Sequence, residues 1–579
     1  MYGLFRFIRT LILALSLIMP SYAQGKIHAD LLLTNGKIIT VDAAFRIHSA
    51  LAIQGERILA VGDDADLQSF CGPNTQVIDL QGKTVLPGLI DSHTHPANAS
   101  IIEFDHEIPQ MESIQDVLDY IQSRAAVLKE GEWIRVSQVF LTRLREQRYP
   151  TRQELDQAAP NHPCIFRTGP DASVNTLALQ RSGIDKDWKV DDGGPGYAET
   201  DPDTGELTGI LRSCTRYLKY ESPEKSPSKD EEYDLLKKMF ADYNRVGVTG
   251  VGERDAEKSE IALYQRLYDN GELTVRSFLS KHVDTIQSIE AMRADIQKIK
   301  ASPLYAGDQL LRVAAAKTYL DGGMLTGSAY MREPWGVSKL YNISDPDYRG
   351  LRFIPEEKLI PLIECCMEND VQYMAHTVGD GAVHAFIDAC AKLKNRFDIR
   401  AKRPVICHSN FMSEEAVNRA AELGICMDIQ PAWLHLDGRT LHHHFGYDRL
   451  AWFQPLRSIF AIGGMTGGGS DHMQKLGSLR SINFYDPWLG MWTTMTRKAK
   501  WLDTPLHPEQ ALSRVEAIRF YTINNAYLHF AEHERGSLEA GKLADFIIIS
   551  DDILTCPLDQ IKEIRVLKTY LGGKAVYES

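Results

Sequence analysis

Residues 87–96 read PGLIDSHTHP, an apolar stretch that ends in two histidines two positions apart, His93 and His95. In an extended strand, side chains at positions i and i+2 lie on the same face, so both imidazoles would point to one place. The alternative interpretation is a loop opened by Pro87 and Gly88 that carries two polar side chains. The rest of the sequence decides between the two.

Other polar residues follow apolar, strand-like runs in the middle of the chain. They are Lys317 in AAAKTYLDGG, His376 in YMAHTVGDG, His408 in VICHSN and Asp471 in GGGSDH. The runs alternate with helical patterns such as PEEKLIPLIECCMEND, an alternation that predicts βα units around a parallel sheet. In a (β/α)8 barrel the residues that end the strands share the C-terminal face, which holds the active site.

These strand-end residues form a set of nitrogen and oxygen donors. Each one alone has a structural explanation, such as a helix N-cap for Asp471 or a surface charge for Lys317. Six of them in barrel register are hard to explain in that way. Four imidazoles and a carboxylate suit zinc or another borderline divalent ion, so the pattern predicts a metal site.

Both ends of the chain carry short β-rich segments. Residues 28–86 include ADLLLTNGKIITVD, whose Asn35-Gly36 turn indicates a hairpin, and GSLEAGKLADFIIIS and VLKTYLGGKAVYE repeat the pattern at the C-terminus. Because the two ends of a chain often meet in one domain, we predict an α/β fold with a composite β-sandwich domain from residues 24–86 and 536–579. The barrel would occupy residues 87–535, with an insertion or lid at about 100–240, where the spacing is irregular.

The first 23 residues have the features of a secretory signal peptide. Arg6 and Arg9 precede the apolar run LILALSLIM, and Ser21-Tyr22-Ala23 fits a cleavage site. The run is shorter than the roughly 20 residues that span a membrane. We expect cleavage after Ala23 and a secreted or periplasmic protein without stable membrane insertion; an uncleaved anchor is the alternative.

The overall charge and the cysteines exclude some classes of function. The formal net charge is −13, and the sequence contains no Lys/Arg block, which argues against nucleic-acid binding. The nine cysteines are an odd number with irregular spacing and no CxxC pair, so at least one has no intramolecular partner. We interpret most of them as buried apolar residues.

The ordered series of motifs resembles the amidohydrolase superfamily, within it the branch of N-substituted formamide deformylases and YtcJ-like proteins, amidohydrolase family 3. The motifs are PGLIDSHTHP, KTYLDGGMLTGSA, AHTVGDGAVHAF, MDIQP, GGSDH, FYTINNAYLHF, GSLEAGKLADFIIIS and KTYLGGKAVYE. The resemblance covers nearly the whole mature chain. It implies a TIM-like metallo-hydrolase barrel beside the β-sandwich domain.

The same resemblance implies the roles of the site residues. The metal ligands would be His93, His95, His376, His408 and Asp471, and Asp471 would also transfer protons. The candidates for stabilising the oxyanion, which the sequence does not distinguish, are His376, His408 and a loop backbone N–H. Lys317 matches a position that in relatives is carboxylated and bridges two metals. An unmodified Lys317 is a poor ligand and would favour a single metal.

Three residues leave alternatives open. Cys407 stands where relatives often have an acidic residue, so a carboxylate partner for an imidazole is in doubt there. His472 follows Asp471 where relatives carry an apolar residue, and we expect it to contact substrate or line the pocket. Asp380 either orients an imidazole or forms a turn.

The implied function is an exported metal-dependent hydrolase of C–N bonds other than peptide bonds. Its substrate would be a small-molecule amide such as an N-acyl or N-formyl amine, with Asp471 acting first as general base and then as general acid. The alternatives are a deaminase or cyclic amidase with a mononuclear site, and a non-catalytic ligand-binding barrel, against which the intact ligand set argues. The sequence does not name the substrate and leaves an oligomer open.

Overall fold

The centre of the computed structural model, which describes residues 27–136, 139–168, 171–192 and 196–579, is a parallel eight-stranded sheet. Its strands, β1 to β8 in chain order, are Leu89–Thr94, Val248–Ala256, Arg276–His282, Leu311–Tyr319, Gln372–Thr377, Val405–His408, Cys426–Ile429 and Thr466–Gly468. Each strand pairs in parallel with the next. The predicted signal peptide lies outside the described residues.

The segment after β8 returns to β1 and closes the ring. The backbone N–H of His95 donates to the carbonyl of His472 at 2.7 Å, and that of Asp471 donates to the carbonyl of His93 at 2.8 Å. Gly88, just before β1, also has a steric role, because a Cβ there would lie 2.2 Å from Oγ1 of Thr249 on β2. PGLIDSHTHP is therefore a barrel strand and not a loop.

Helices cover the outside of the barrel. The main ones are Lys229–Arg245 before β2, then Lys258–Asp269, Ile289–Ala301, Glu356–Glu368, Asp380–Leu393, Glu414–Leu423, Pro431–Phe445 and Pro487–Thr496, each after the next strand. Shorter helices are Pro96–Ile101, Pro303–Ala306, Ile399–Lys402, Leu456–Ala461, Arg514–Phe520 and Ile523–Leu528. Their bounds follow ordinary capping rules: the helix Glu414–Leu423 begins after the N-cap Ser413 and ends at Gly424, whose φ is +74°.

Apolar side chains fill the inside of the barrel below its C-terminal end. Phe278, Met374, Val405 and Cys407 belong to this interior cluster, and Leu528 joins it from the last helix. The interior is therefore a packed core, and the large cavity of the described residues lies at the C-terminal end of the strands.

The two ends of the chain build two further sheets. One contains Leu31–Thr34, Ala50–Gln54, Arg57–Gly62 and Gln76–Asp79; the other contains Lys37–Ile39, Ile47–His48, Thr84–Pro87, Phe546–Ile549, Val566–Leu571 and Lys574–Glu578. Phe546–Ile549 pairs antiparallel with Thr84–Pro87. One apolar cluster contains Leu33 and Leu51 from the first sheet and Val85 and Ile548 from the second. The predicted fold class, a barrel with a β-sandwich from both chain ends, is confirmed.

The insertion after the helix Pro96–Ile101 has a folded core of its own. Its five-stranded sheet has the order Tyr197–Thr200, Leu207–Arg212, Asp171–Val174, Cys164–Thr168 and Ile134–Val136. The helices Ile114–Ala125, Arg152–Ala158 and Thr176–Ser182 accompany the sheet. Sequence analysis placed an insertion here but gave it no internal structure, and the predicted domain limits stay predictions.

All nine cysteines lie in the described part of the chain, where none forms a disulfide and seven are buried. Among the described residues, no helix combines the length and the apolar character needed to cross a bilayer.

Candidate metal centre

His93, His95 and Asp471 converge at the C-terminal end of the barrel. Oδ1 of Asp471 lies 3.5 Å from Nε2 of His93 and 3.4 Å from Nε2 of His95. One potential ligand atom from each of the three lies within 4.8 Å of the other two, a spacing that a metal ion can bridge. The structure therefore brings the HxH pair and the aspartate together, although β1 and the segment after β8 lie far apart in sequence.

The backbone around these residues is arranged for close approach. A Cβ at Gly469 would lie 2.7 Å from Cβ of His93, so only glycine allows the end of β8 to pass the histidine. Asp471 and His408 have φ values of 54° and 80°, in the left-handed region. Such residues cost about 1–3 kcal/mol each and concentrate at functional sites.

Two of the imidazoles are held through their Nδ1 atoms. Nδ1 of His93 lies 3.0 Å from Oδ2 of Asp428, and Nδ1 of His408 lies 2.7 Å from Oε1 of Gln430. Carboxylate and amide oxygens only accept hydrogen bonds, so both Nδ1 atoms carry the proton. Each Nε2 therefore presents a lone pair, which is the state in which an imidazole binds a metal.

Asp428 and Gln430 join these two histidines into one network. Nε2 of Gln430 donates to Oδ1 of Asp428 at 3.0 Å, and Oγ of Ser92 donates to the same oxygen at 2.5 Å. Asp428, on β7, is the register partner of Cys407 on β6. A carboxylate next to Cys407 therefore comes from the neighbouring strand.

His95 responds strongly to the charges around it. Burial lowers its pKa, but hydrogen bonds with Asp471 and Glu253 outweigh burial and raise the pKa to about 10. Nδ1 of His95 lies 3.4 Å from Oε1 of Glu253, whose other oxygen accepts from the hydroxyl of Tyr264 at 3.0 Å. The two carboxylates thus favour positive charge at the His95 imidazole, which a bound cation supplies in place of the proton.

The donor set fits a metal ion on these observations. Nε2 of His93 and Oδ1 of Asp471 both present lone pairs across 3.5 Å, and two acceptors at that distance repel unless a cation lies between them. The three residues offer two nitrogens and one oxygen, ligands that zinc and other borderline divalent ions accept. The acceptors behind the imidazoles match the arrangement found behind metal-binding histidines.

The other three predicted ligands line the same cavity from neighbouring strands. The ring centroid of His376 lies 4.5 Å from that of His408, which lies 4.7 Å from that of His93. Lys317 on β4 is buried. Burial and the charge of Lys317 lower the pKa of His376 to about 3, so this imidazole is neutral. His376 and His408 belong to neither of the two three-residue groups found among the described residues, which are His93, His95 and Asp471, and His93, Cys407 and Asp428.

His472 has a structural role. The prediction that it contacts substrate or lines the pocket is wrong. It is fully buried and does not line the cavity. Its Nδ1 lies 2.6 Å from the hydroxyl of Tyr243, and its Nε2 donates to the carbonyls of Gln474 and Lys475 at 3.0 and 2.8 Å. His472 thereby fixes the loop that carries Asp471.

Asp380 matches neither of its two alternatives, because it lies at the start of a helix. It begins the helix Asp380–Leu393, and its Oδ1 accepts the backbone N–H of Arg332 at 2.8 Å. No hydrogen bond joins it to an imidazole of the metal centre within the described ranges. The residue is a part of the helix start.

Sequence reasoning missed the residues that orient the imidazoles, namely Asp428, Gln430 and Glu253. A usable signal was present: MDIQP and GVGERDA each place a carboxylate inside an apolar strand. A buried carboxylate needs a partner. The sequence could not show which histidine that partner would be.

The metal centre opens into a cavity of about 1140 Å³. Part of the wall comes from the insertion, through Phe140, Asp171, Tyr197 and Arg212, and part from residues 321–353 after β4. Burial and the nearby charge of Glu253 raise the pKa of Glu260, on the same wall, to about 7.

A closed (β/α)8 barrel with an HxH pair at the end of β1 and an aspartate after β8 defines the metal-dependent hydrolase class of barrel proteins. The chain belongs to the amidohydrolase family, which it matches over residues 76–577. This membership confirms the resemblance inferred from the motifs, and with it the expectation of a metal-dependent enzyme that hydrolyses C–N bonds.

Known proteins similar to the chain agree with this assignment. N-substituted formamide deformylase of Arthrobacter pascens is 28% identical over 565 residues, which cover 95% of this chain and 98% of that protein. The protein YtcJ of Bacillus subtilis is 24% identical over 522 residues, which cover 88% of this chain and 92% of YtcJ. The crystal structure of an uncharacterized metal-dependent hydrolase from Pyrococcus furiosus has a TM-score of 0.64 at 21% identity, covering 91% of this chain and 100% of that one. The structural likeness supports the fold.

Proposed function

We propose that the protein hydrolyses the C–N bond of an N-acyl amine, an N-formyl amine above all, to release the amine and a carboxylic acid. The observation that carries this proposal is the convergence of Asp471 with His93 and His95, with one carboxylate oxygen within 3.5 Å of both Nε2 atoms. The similarity to a formamide deformylase over nearly the full length of both chains supports the formyl group as the acyl part.

The proposed metal is zinc or a similar divalent ion. His93, His95 and Asp471 would hold one ion, and Lys317, carboxylated on its amine, would hold a second together with His376 and His408. When bound, such an ion lowers the pKa of water from 15.7 to about 7 and polarises a carbonyl group. Because Lys317 is buried beside neutral imidazoles, its conversion to an anionic carbamate would also remove a buried positive charge.

Asp471 would transfer the protons. Its carboxylate takes a proton from the attacking water as the water oxygen bonds to the carbonyl carbon, and returns it to the nitrogen as the C–N bond breaks. Asn483 fixes the carboxylate, since its amide nitrogen lies 2.7 Å from the Asp471 carbonyl and 3.3 Å from Oδ2. An amine is a poor leaving group, so the second proton transfer is required for bond cleavage.

The test is Asp471→Asn, measured as formate release from N-formyl amines together with metal content. We expect a fall in kcat of about 10²–10⁴-fold, the usual contribution of general acid–base catalysis. Asp380→Asn is the matched control, because Asp380 ends no strand of the metal centre and should leave turnover unchanged. A fully metallated Asp471→Asn enzyme that turns over at the wild-type rate would contradict the proposal, and ammonia release from amino-substituted rings in place of formate release would favour a deaminase.

We further propose that the chain is exported and cleaved after Ala23, on the strength of the N-terminal motif described above. N-terminal sequencing of the protein recovered outside the cytoplasm tests this. A mature chain that begins at Gln24 supports the proposal, and a recovered chain that begins at Met1 contradicts it.

A further inference from the structure

The cavity above the metal centre is far larger than a formyl group requires. At about 1140 Å³ it exceeds the volume of most small-ligand pockets. Three large apolar side chains on its wall are half exposed: Tyr197 at 50%, and Leu351 and Phe353 at 49% each. Burying such surface against a ligand is favourable by about 25 cal/mol per Å². The wall therefore favours a bulky apolar group on the substrate.

Carboxylates outnumber cationic side chains on the wall. Among the described lining residues, six carboxylates stand against Lys317, Arg212 and His95, and the positive charge of His95 is matched by Asp471 and Glu253 at the metal centre. Arg212 is already held by two carboxylates, Asp171 at 3.1 Å and Glu199 at 3.3 Å. The local sum of these three charges is negative, so Arg212 does not offer a site for a further anion.

The acidic groups closer to the metal centre offer no donor to an anion, because their oxygens accept hydrogen bonds. Asp255 accepts from Nδ1 of His282 at 2.6 Å and from the hydroxyl of Tyr319 at 2.7 Å. Asp345 lies farther out on the wall and is exposed. A substrate carboxylate would meet acidic groups there without a free cation to bind it, an arrangement that rejects like charge.

We infer that the enzyme acts on N-acyl derivatives of bulky apolar amines whose amine part is neutral or positively charged, and that it rejects N-acyl amino acids with a free carboxylate. This inference rests on the proposed function of the same site. The amine part would contact Tyr197 of the insertion and Leu351 and Phe353 of the segment after β4, so both segments determine specificity.

The experiment compares three formamides that differ at one carbon: N-formylbenzylamine, N-formylphenylglycinamide and N-formylphenylglycine, the last two as both enantiomers. The carboxamide controls for the size of the carboxylate. We expect kcat/KM for the two neutral compounds to exceed that for the carboxylate by about 100-fold, since like-charge contacts discriminate at this level. A carboxylate that is hydrolysed as well as its carboxamide overturns the inference.

A double variant tests the role of the charges directly. Asp171→Asn with Glu199→Gln releases the charge of Arg212, and we expect the selectivity to move at least about tenfold toward the carboxylate. Turnover of N-formylbenzylamine reports whether the variant is folded. The control is Asp192→Asn, which removes a carboxylate from an ion pair with Arg216 in the insertion, outside the cavity lining, and should leave the selectivity unchanged. An unchanged preference in a folded double variant would mean that these charges do not set it.

The inference and the proposed function can fail separately. If the metal-loaded enzyme hydrolyses none of the three formamides, the proposed function is wrong. The binding of the same three compounds can then be measured by calorimetry. Tighter binding of the neutral compounds would then still support the inference about the cavity. Equal or tighter binding of the carboxylate, or no binding of any of the three, would overturn it.

Discussion

The hydrogen-bond network behind His93 and His408, two of the predicted metal ligands, predicts that Asp428→Asn weakens metal binding without replacing a predicted ligand. Asp428 accepts from three groups, Nδ1 of His93 at 3.0 Å, Oγ of Ser92 at 2.5 Å and Nε2 of Gln430 at 3.0 Å. Asparagine keeps one accepting oxygen and replaces the other with a donor. In one orientation the new amide N–H faces Nδ1 of His93, which must then give up its proton.

In the other orientation the new amide N–H faces Gln430. Gln430 then has to turn its own oxygen toward residue 428, so its amino group faces Nδ1 of His408 in place of the acceptor at 2.7 Å. Either way one imidazole moves its proton to Nε2 and loses the lone pair that faces the metal site. Loss of such a partner lowers metal affinity by about 10- to 100-fold, or about 1.4–2.7 kcal/mol.

A second consequence of the same substitution is a loss of stability in the metal-free protein. The guanidinium of Arg254, fully buried, lies 3.8 Å from Asp428 and would lose its carboxylate. Breaking a buried ion pair costs about 3–5 kcal/mol. Asp545→Asn is the matched control, since Asp545 forms a buried pair with Arg276 at 2.6 and 2.8 Å and neither residue lines the cavity at the metal centre. It should destabilise the fold to a similar extent and leave metal affinity unchanged.

The assay is zinc competition against a chromophoric chelator at a temperature where both variants are folded, with thermal unfolding measured in parallel. The reasoning requires that Asp428→Asn lose metal affinity and that Asp545→Asn keep it. Equal zinc affinities for Asp428→Asn and the wild type, or equal losses in both variants, would refute the role of the network.

Three further predictions follow from single contacts. Gly469→Ala places a Cβ 2.7 Å from Cβ of His93, so we expect a folded protein with lost zinc binding by elemental analysis; normal zinc content would show that the strand end can move. Lys317→Ala should reduce the metal content from two ions per chain to one, and two ions in that variant would exclude a carboxylated Lys317 as a ligand of the second ion. Burial lowers the pKa of Lys475 to about 8 from 10.5, so the folded state binds fewer protons than the unfolded chain between these values and stability rises with pH across this window. Lys475→Met should remove about 3 kcal/mol of that rise in the free energy of unfolding, measured by denaturant unfolding at several pH values. A variant whose free energy of unfolding rises with pH as steeply as that of the wild type would show that the amine is not buried in solution.

The sequence by itself determined the type of fold and the identity of the strand-end residues. Alternation of apolar runs and helical patterns is a local property, and so is the rule that i and i+2 share a face of a strand, which put His93 and His95 on one side. The order of motifs added Asp471 and the family, because each motif is short and continuous. None of these conclusions required knowledge of which distant residues meet.

Only the tertiary structure decided which partners orient the imidazoles and what surrounds the substrate. Asp428 and His93 are 335 residues apart and meet only because β1 and β7 belong to one closed barrel. The same closure turns His472 away from the cavity, since its backbone pairs with β1 while its ring is held by Tyr243. The cavity wall joins the insertion to the segment after β4, two regions whose contact no local pattern specifies. Contacts between remote residues depend on the packing of the whole barrel. For this reason the sequence could place candidate ligands at the strand ends but could not identify the groups that orient them.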